Sequence, residues 1–149
     1  MSLCTKLSET ISTQYSPREE AKQAVRILLV EDNLSNLKLA KLILSKAGYH
    51  VQTTVNGKEA LEVFTGAPHA FDLIFMDMQM PEMDGLCATK AIRSAGFDRI
   101  PIVAMTANAM KGDRERCLDS GMNDYVAKPI RREEIFRMVE KWALKAREE

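Results

Sequence analysis

The chain has 149 residues, of which 46% are hydrophobic and 28% charged, values close to those of an average globular domain. Its 21 basic and 21 acidic residues give a formal net charge of zero, so nothing favours direct binding to nucleic acid or to an anionic membrane. No apolar run approaches the roughly 20 residues that cross a bilayer, and the amino terminus lacks a secretory signal. We therefore expect a cytoplasmic protein whose three cysteines are reduced thiols.

The first 24 residues differ from the remainder of the chain. They are rich in Ser and Thr and show no sustained hydrophobic period, which predicts a flexible leader or linker. The segment "SPRE" (16–19) has the form of a capping box with proline at the first helical position, so we predict a short helix over 17–24. The opening "MSL" resembles a vector remnant, which favours a piece of a longer protein. The predicted domain covers 25–146, and residues 147–149 form a tail.

From residue 25 onward, short apolar runs alternate with amphipathic segments. The runs predict five strands: "RILLV" (26–30), "HVQTT" (50–54), "DLIFM" (72–76), "IPIVAM" (100–105) and "DYVA" (124–127). The amphipathic segments predict helices over 36–47, 57–65, 86–95, 111–120 and 131–146. Their apolar residues recur at intervals of three and four, as in Leu34, Leu37 and Leu42, or in Ile135, Met138, Val139 and Trp142.

This alternation predicts a doubly wound α/β fold of five βα units. Parallel strands need crossover connections, so the sheet is expected to be parallel and covered by helices on both faces. Three glycines follow helical runs and are expected in the left-handed conformation: Gly48, Gly96 and Gly121. Asn33 and Asp84 are predicted to cap the helices that follow them.

Polar residues stand at the ends of the predicted strands. The first strand is followed by Glu31 and Asp32, the third by Asp77, the fourth by Thr106 and the fifth by Lys128. Ligands of open α/β sheets bind outside the carboxyl ends of the strands, so we expect these side chains to share one edge.

Three neighbouring carboxylates raise one another's pKa unless a cation compensates their charge. Carboxylates without Cys or His favour Mg²⁺, with Mn²⁺ as a substitute, over zinc. An aspartate can also accept a phosphoryl group, and Asp77 is the best candidate because it ends the central apolar strand. Glu31 and Asp32 are then expected to hold the metal, with Lys128 and Thr106 facing the same anion.

Four motifs in this order resemble the receiver domain of response regulators in two-component and phosphorelay signalling, the CheY-like family. They are "LLVEDN" (28–33), "DLIFMDMQMPEMDG" (72–85), "PIVAMTA" (101–107) and "GMNDYVAKPI" (121–130). The resemblance covers about 25–145 and implies a flavodoxin-like (βα)5 fold with strand order 2-1-3-4-5. It is strongest to receivers of hybrid sensor histidine kinases, whose parent protein can be anchored in a membrane.

The resemblance also implies a role for each site residue. Asp77 is the expected phosphoacceptor, and Asp32, Asp77 and the backbone carbonyl of Gln79 are the expected direct Mg²⁺ ligands, with Glu31 acting through water. The phosphoryl contacts implied are Thr106, Lys128 and the backbone of Ala107.

Two further features follow from the same resemblance. Tyr125 is the expected switch aromatic, turning inward as Thr106 moves, and a cis peptide is expected between Lys128 and Pro129. Gln79 and Asn108 flank the expected path of attacking water and are predicted to influence the lifetime of the phosphoryl group.

The favoured function is a phosphoacceptor that takes its phosphoryl group from a histidine kinase or histidine phosphotransfer protein, hydrolyses it slowly and regulates a downstream effector. Phosphorylation-dependent homodimerisation stays open. A single-domain response regulator is one alternative. A metal-dependent phosphohydrolase with an aspartate nucleophile is another, but it needs a second aspartate where Gln79 stands. A flavodoxin-like cofactor binder is disfavoured because "EDNLSN" (31–36) contains no glycine loop for a phosphate.

Overall fold

A computed structural model describes residues 25–80, 83–107 and 111–144, apart from the side chains of Lys111 and Asp113. The predicted helix over 17–24, the tail at 147–149 and Asn108 lie outside these residues. The strands are β1 (Arg26–Val30), β2 (His50–Thr54), β3 (Leu73–Asp77), β4 (Ile102–Thr106) and β5 (Asp124–Ala127). The helices are α1 (Leu34–Lys46), α2 (Gly57–Gly66), α3 (Gly85–Ser94), α4 (Lys111–Ser120) and α5 (Arg132–Val139), with a 3₁₀ turn at Pro68–Ala70.

The five strands form one parallel sheet in the order β2-β1-β3-β4-β5. This confirms the predicted fold and strand order. All five residues of β3 and of β4 are buried, as expected of central parallel strands covered on both faces. Within the described part of the chain, no helix is long and apolar enough to cross a membrane.

Two hydrophobic clusters cover the two faces of the sheet. Alternate residues of β1 enter opposite clusters, because side chains alternate along a strand: Ile27 and Leu29 pack on one face, Leu28 and Val30 on the other. The first cluster takes in the buried residues of α1 and α5, and the second those of α2, α3 and α4. Helices on both faces are therefore confirmed.

Strands β3 and β4 each end one residue later than predicted. The ladder continues through Asp77, which pairs with Met105, and through Thr106, which pairs with Ala127. At the other end, β4 begins at Ile102, after Pro101, which has no amide hydrogen to donate. Asp77 and Thr106 are thus members of their strands, and the sheet itself fixes their backbones.

The apolar face predicted for α1 is partly wrong. Leu34 and Leu42 are 60% and 52% exposed, whereas Leu37, Ala40 and Leu44 are buried against the sheet. The buried set keeps the helical interval, with the small residue Ala40 between Leu37 and Leu44. The helix predicted over 131–146 is also interrupted, since α5 continues as a π-helical segment at Glu140–Leu144.

Helix ends follow their predicted chemistry. The side chain of Asn33 accepts a hydrogen bond from the Asn36 amide, and that of Asp84 accepts one from the Cys87 amide. Both residues are therefore helix caps, as expected. The predicted glycines have φ values of 103°, 98° and 106°, at Gly48, Gly96 and Gly121 respectively. The peptide between Lys128 and Pro129 is cis, which confirms that expectation.

Candidate phosphoacceptor and metal site

The register of the sheet brings the predicted site residues to one level. Val30 pairs with Met76, so Glu31 and Asp77, the next residues, stand side by side. Hydrogen bonds continue beyond the ladder, since the Glu31 amide donates to the Thr54 carbonyl at 3.1 Å. The Lys128 amide likewise donates to the Thr106 carbonyl at 2.7 Å. The carboxyl edge of the sheet is therefore a rigid platform for these side chains.

The three predicted acids are brought together. Glu31, Asp32 and Asp77 each offer a carboxylate oxygen, and these oxygens lie within 4.8 Å of one another. Glu31 and Asp77 are buried, at 1% and 3% exposed, whereas Asp32 is exposed. A cleft of about 290 Å³ opens here, lined also by Gln79, Thr106, Ala107 and Lys128. Among the described residues, every site residue predicted from the sequence borders this cleft except Tyr125.

Lys128 joins two of the acids. Its Nζ donates to both oxygens of Glu31, at 3.0 and 2.9 Å, and lies 3.1 Å from Oδ1 of Asp77. Burial opposes the charge of this ammonium group, but its hydrogen bonds to Glu31 and Asp77 raise its pKa above the usual value. Lys128 is therefore a permanently charged partner of the acidic cluster at neutral pH.

Asp77 has an unusual proton affinity. Burial, and after it the hydrogen bond and charge of Glu31, raise its pKa from 3.8 to about 7, against the opposing influence of Lys128. The Gln79 amide donates to Oδ1 of Asp77 at 3.2 Å. A carboxylate so destabilised in its charged form favours a nearby cation, and strongly perturbed acids in clefts mark functional sites.

The acidic cluster fits a hard divalent cation. Its donors are carboxylate oxygens on a solvent-accessible edge, with no sulfur or imidazole among them, which suits Mg²⁺. The excess negative charge supplies the reason for binding, because one ammonium group faces three carboxylates. The residues present therefore fit a magnesium ion.

Tyr125 lies on β5, where it pairs with Ala104, two residues before Thr106 on β4. Its ring is half-buried against the cluster that contains β4 and α3, and the Arg114 guanidinium of α4 lies 6.0 Å from the ring centroid. This contact links the ring to α4 by a cation–π interaction.

Asn36 also lines the cleft, although sequence analysis did not single it out. Its Nδ2 donates to Oε1 of Glu31 at 3.1 Å. The available signal was its place in the first turn of α1, directly after the acidic pair. His50 and His69, to which the sequence assigned no role, lie outside the cleft lining.

Comparison with known proteins agrees with this fold. The family model described as the response regulator receiver domain matches residues 27–140. The chain therefore belongs to the response regulator receiver domain family, and it is a receiver domain of two-component signalling.

Two curated relatives illustrate the kind of protein that contains such a domain. Sensor histidine kinase GacS of Pseudomonas protegens is 41% identical over 93% of this chain. Two-component system protein A of Emericella nidulans is 41% identical over 78% of it. The matched regions are 16% and 17% of the length of those proteins, respectively.

Solved structures give the same result. The receiver domain of sensor histidine kinase PA1611 from Pseudomonas aeruginosa, which has a magnesium ion coordinated in its active site cleft, is 42% identical. The match covers 80% of this chain and 97% of that one, with a TM-score of 0.73. The Ssk1 receiver domain of Saccharomyces cerevisiae, solved with the histidine phosphotransfer protein Ypd1, is 31% identical, with coverages of 80% and 89% and a TM-score of 0.75. These matches support the receiver prediction and not the phosphohydrolase alternative.

Proposed function

We propose that Asp77 accepts a phosphoryl group from a phosphohistidine, in a reaction that requires Mg²⁺. The observation that carries this proposal is the convergence of Glu31, Asp32, Asp77 and Lys128 at the carboxyl edge of the sheet. An oxygen of Asp77 attacks phosphorus as the phosphorus–nitrogen bond of the donor breaks, and the electron pair of that bond leaves with the histidine nitrogen. The product is an aspartyl phosphate.

The predicted site residues of the cleft have separate tasks in this reaction. Asp32, Asp77 and the Gln79 carbonyl would hold Mg²⁺, with Glu31 acting through water. When bound, Mg²⁺ supplies positive charge to the transferring phosphoryl oxygens and lowers the pKa of Asp77. Lys128 offers a second positive charge, since its ammonium already lies 3.1 Å from Oδ1 of Asp77. Mn²⁺ meets the same oxygen-ligand requirement.

Thr106 and Ala107 follow Met105, the register partner of Asp77, so they border the position of the phosphoryl group. We assign the Thr106 hydroxyl and the Ala107 backbone to the phosphoryl oxygens. Movement of Thr106 towards the phosphoryl group would make room for Tyr125 to turn inward, away from Arg114. The surface formed by α4, β5 and α5 is then the output that a downstream effector or a second copy of the chain reads.

The likeness to GacS and to the PA1611 receiver supports a place in a hybrid sensor histidine kinase, with domain boundaries near 25 and 146. The partner in that setting is a histidine kinase or a histidine phosphotransfer protein, and the complex of Ssk1 with Ypd1 supports the second. A cytoplasmic location agrees with this partner class.

The proposal is tested by labelling the full chain with radioactive acetyl phosphate in the presence of Mg²⁺. We expect labelling of the wild type and its loss in Asp77→Asn or on chelation of the metal. Asp84→Asn is the matched control, because it changes an aspartate of the same segment to another good helix cap. Labelling of Asp77→Asn at the level of the wild type would contradict the assignment.

A further inference from the structure

Asn36 makes a contact that the proposed reaction does not use. It lies in the first turn of α1, half-buried, and its Nδ2 donates to Oε1 of Glu31 at 3.1 Å. Its own backbone amide donates to the Asn33 side chain at 3.1 Å. The helix cap therefore fixes the backbone of Asn36. Its side-chain amide in turn holds the Glu31 carboxylate of the acidic cluster.

Glu31 needs more than one fixed partner. Its carboxylate is 1% exposed, and within the described residues the side-chain nitrogens that donate to it belong to Lys128 and Asn36. Lys128 is a flexible point charge, and it also contacts Asp77, so its position depends on the state of that residue. Asn36 is attached to a helix and donates in one direction. Of the two partners, Asn36 is the one whose position does not depend on Asp77.

We propose that Asn36 is a positioning residue, which orients the Glu31 carboxylate for its part in binding Mg²⁺. This inference rests on the proposed function, because it assumes that the acidic cluster binds the metal. Groups that hydrogen-bond to the metal-binding residues are typically responsible for a 10- to 100-fold difference in metal affinity. We expect the lower end, about ten-fold, because Glu31 retains its two hydrogen bonds from Lys128 when Asn36 is removed.

The test measures Mg²⁺ binding to the full chain by isothermal titration calorimetry. Four proteins form a cycle: the wild type, Asn36→Ala, Glu31→Ala and the double variant. Asn36→Ala keeps the backbone amide that the cap uses, and alanine favours a helix, so the variant is expected to fold. Ser35→Ala, an exposed neighbour in the same turn, is the matched control, and thermal melting of each protein checks folding.

Asn36→Ala should weaken Mg²⁺ binding about ten-fold, and Ser35→Ala should leave it unchanged. In the Glu31→Ala background, adding Asn36→Ala should cause no further loss, since Asn36 acts through Glu31. A dissociation constant for Asn36→Ala equal to that of the wild type would overturn the inference. So would an equal loss in both backgrounds, because a general effect on the helix does not require Glu31.

The two proposals can fail separately. Wild-type protein that is labelled at Asp77, together with unchanged Mg²⁺ binding by Asn36→Ala, rejects only the role of Asn36. Wild-type protein that binds Mg²⁺ but carries no label at Asp77 rejects the phosphoacceptor function and leaves the role of Asn36 standing. Absence of Mg²⁺ binding by the wild type rejects both.

Discussion

Replacing Asp77 with asparagine should stabilise the folded protein at alkaline pH. Asp77 is 3% exposed, and its pKa is raised from 3.8 to about 7 by burial and by Glu31. Between these values the folded protein holds a proton that the unfolded chain has released. The contribution of Asp77 to the free energy of unfolding is therefore present at low pH and is lost as pH rises towards 7. Asparagine has nearly the same shape and carries no charge at any pH.

The size of the gain follows from the two pKa values. A rise from 3.8 to about 7 corresponds to about 4 kcal/mol of unfavourable free energy for the ionised group above neutrality. This value already includes the opposing influence of Lys128, whose Nζ lies 3.1 Å from Oδ1 of Asp77. Asp77→Asn is therefore expected to raise the free energy of unfolding by up to about 4 kcal/mol at pH 8. At pH 5 the gain should fall to about 2 kcal/mol, because the folded wild type is protonated at Asp77 while the unfolded chain is already ionised there.

The assay is urea unfolding at pH 5 and pH 8 in the presence of a chelator, with Asp84→Asn as the control. The control should show the same stability difference from the wild type at both pH values. Millimolar Mg²⁺ at pH 8 should then stabilise the wild type more than Asp77→Asn, since a ligand of the folded state shifts the equilibrium by mass action. An Asp77→Asn variant no more stable than the wild type at pH 8, or one whose gain is larger at pH 5, would refute the reasoning.

Three further predictions concern the packing below Asp77, the first residue of β4 and the metal. Gly85→Ala should destabilise by about 1–3 kcal/mol in urea unfolding, because the new Cβ would collide with the backbone oxygen of Asp77; Gly66→Ala, which meets nothing within 4 Å, should be close to neutral. Asn123→Ala should cost about 1–3 kcal/mol in the same assay, because the Asn123 side chain accepts from Arg93 and from the first amide of β4. Removing Mg²⁺ with a chelator should abolish labelling of Asp77 by acetyl phosphate, and restoring Mg²⁺ or adding Mn²⁺ should recover it.

The sequence was sufficient to predict the fold because its apolar runs, helical periods and glycines all indicate the same five βα units. The bounds of β1, β2 and β5 match their predictions. Residues that break regular structure mark where such runs begin, as Gly48 does before β2 and Gly121 before β5. The ends of β3 and β4 were missed because Asp77 and Thr106 are polar. A hydrophobic pattern stops at the first polar residue, but the hydrogen-bond ladder depends on the backbone and continues through both residues.

The face of α1 shows where a pattern becomes ambiguous. This helix contains more large apolar residues than it can bury, so several sets at intervals of three and four are possible. The structure buries Ala40 in the middle of the chosen set and leaves Leu34 and Leu42 in solvent. The choice depends on how the helix packs against the sheet, which the hydrophobic period alone does not specify.

Side-chain partners within the site were the least predictable feature. The order of the motifs predicted that Glu31, Asp77 and Lys128 share one edge of the sheet. It did not predict that Lys128 pairs with both oxygens of Glu31. That pairing joins residues 97 positions apart and depends on rotamers. The hydrogen bond from Asn36 to Glu31 was missed for the same reason, since asparagine early in a helix is ordinarily explained by capping.

The proposed function gives the Lys128 contacts a consequence for signalling. The Lys128 ammonium is shared by Glu31 and Asp77, and its backbone amide is tied to the Thr106 carbonyl at 2.7 Å. A phosphoryl group on Asp77 carries more negative charge than the carboxylate it replaces, so it would draw Lys128 away from Glu31. The same backbone hydrogen bond would couple that movement to Thr106. A local change of charge would thus reach the ends of β4 and β5 together, where Tyr125 and α4 respond.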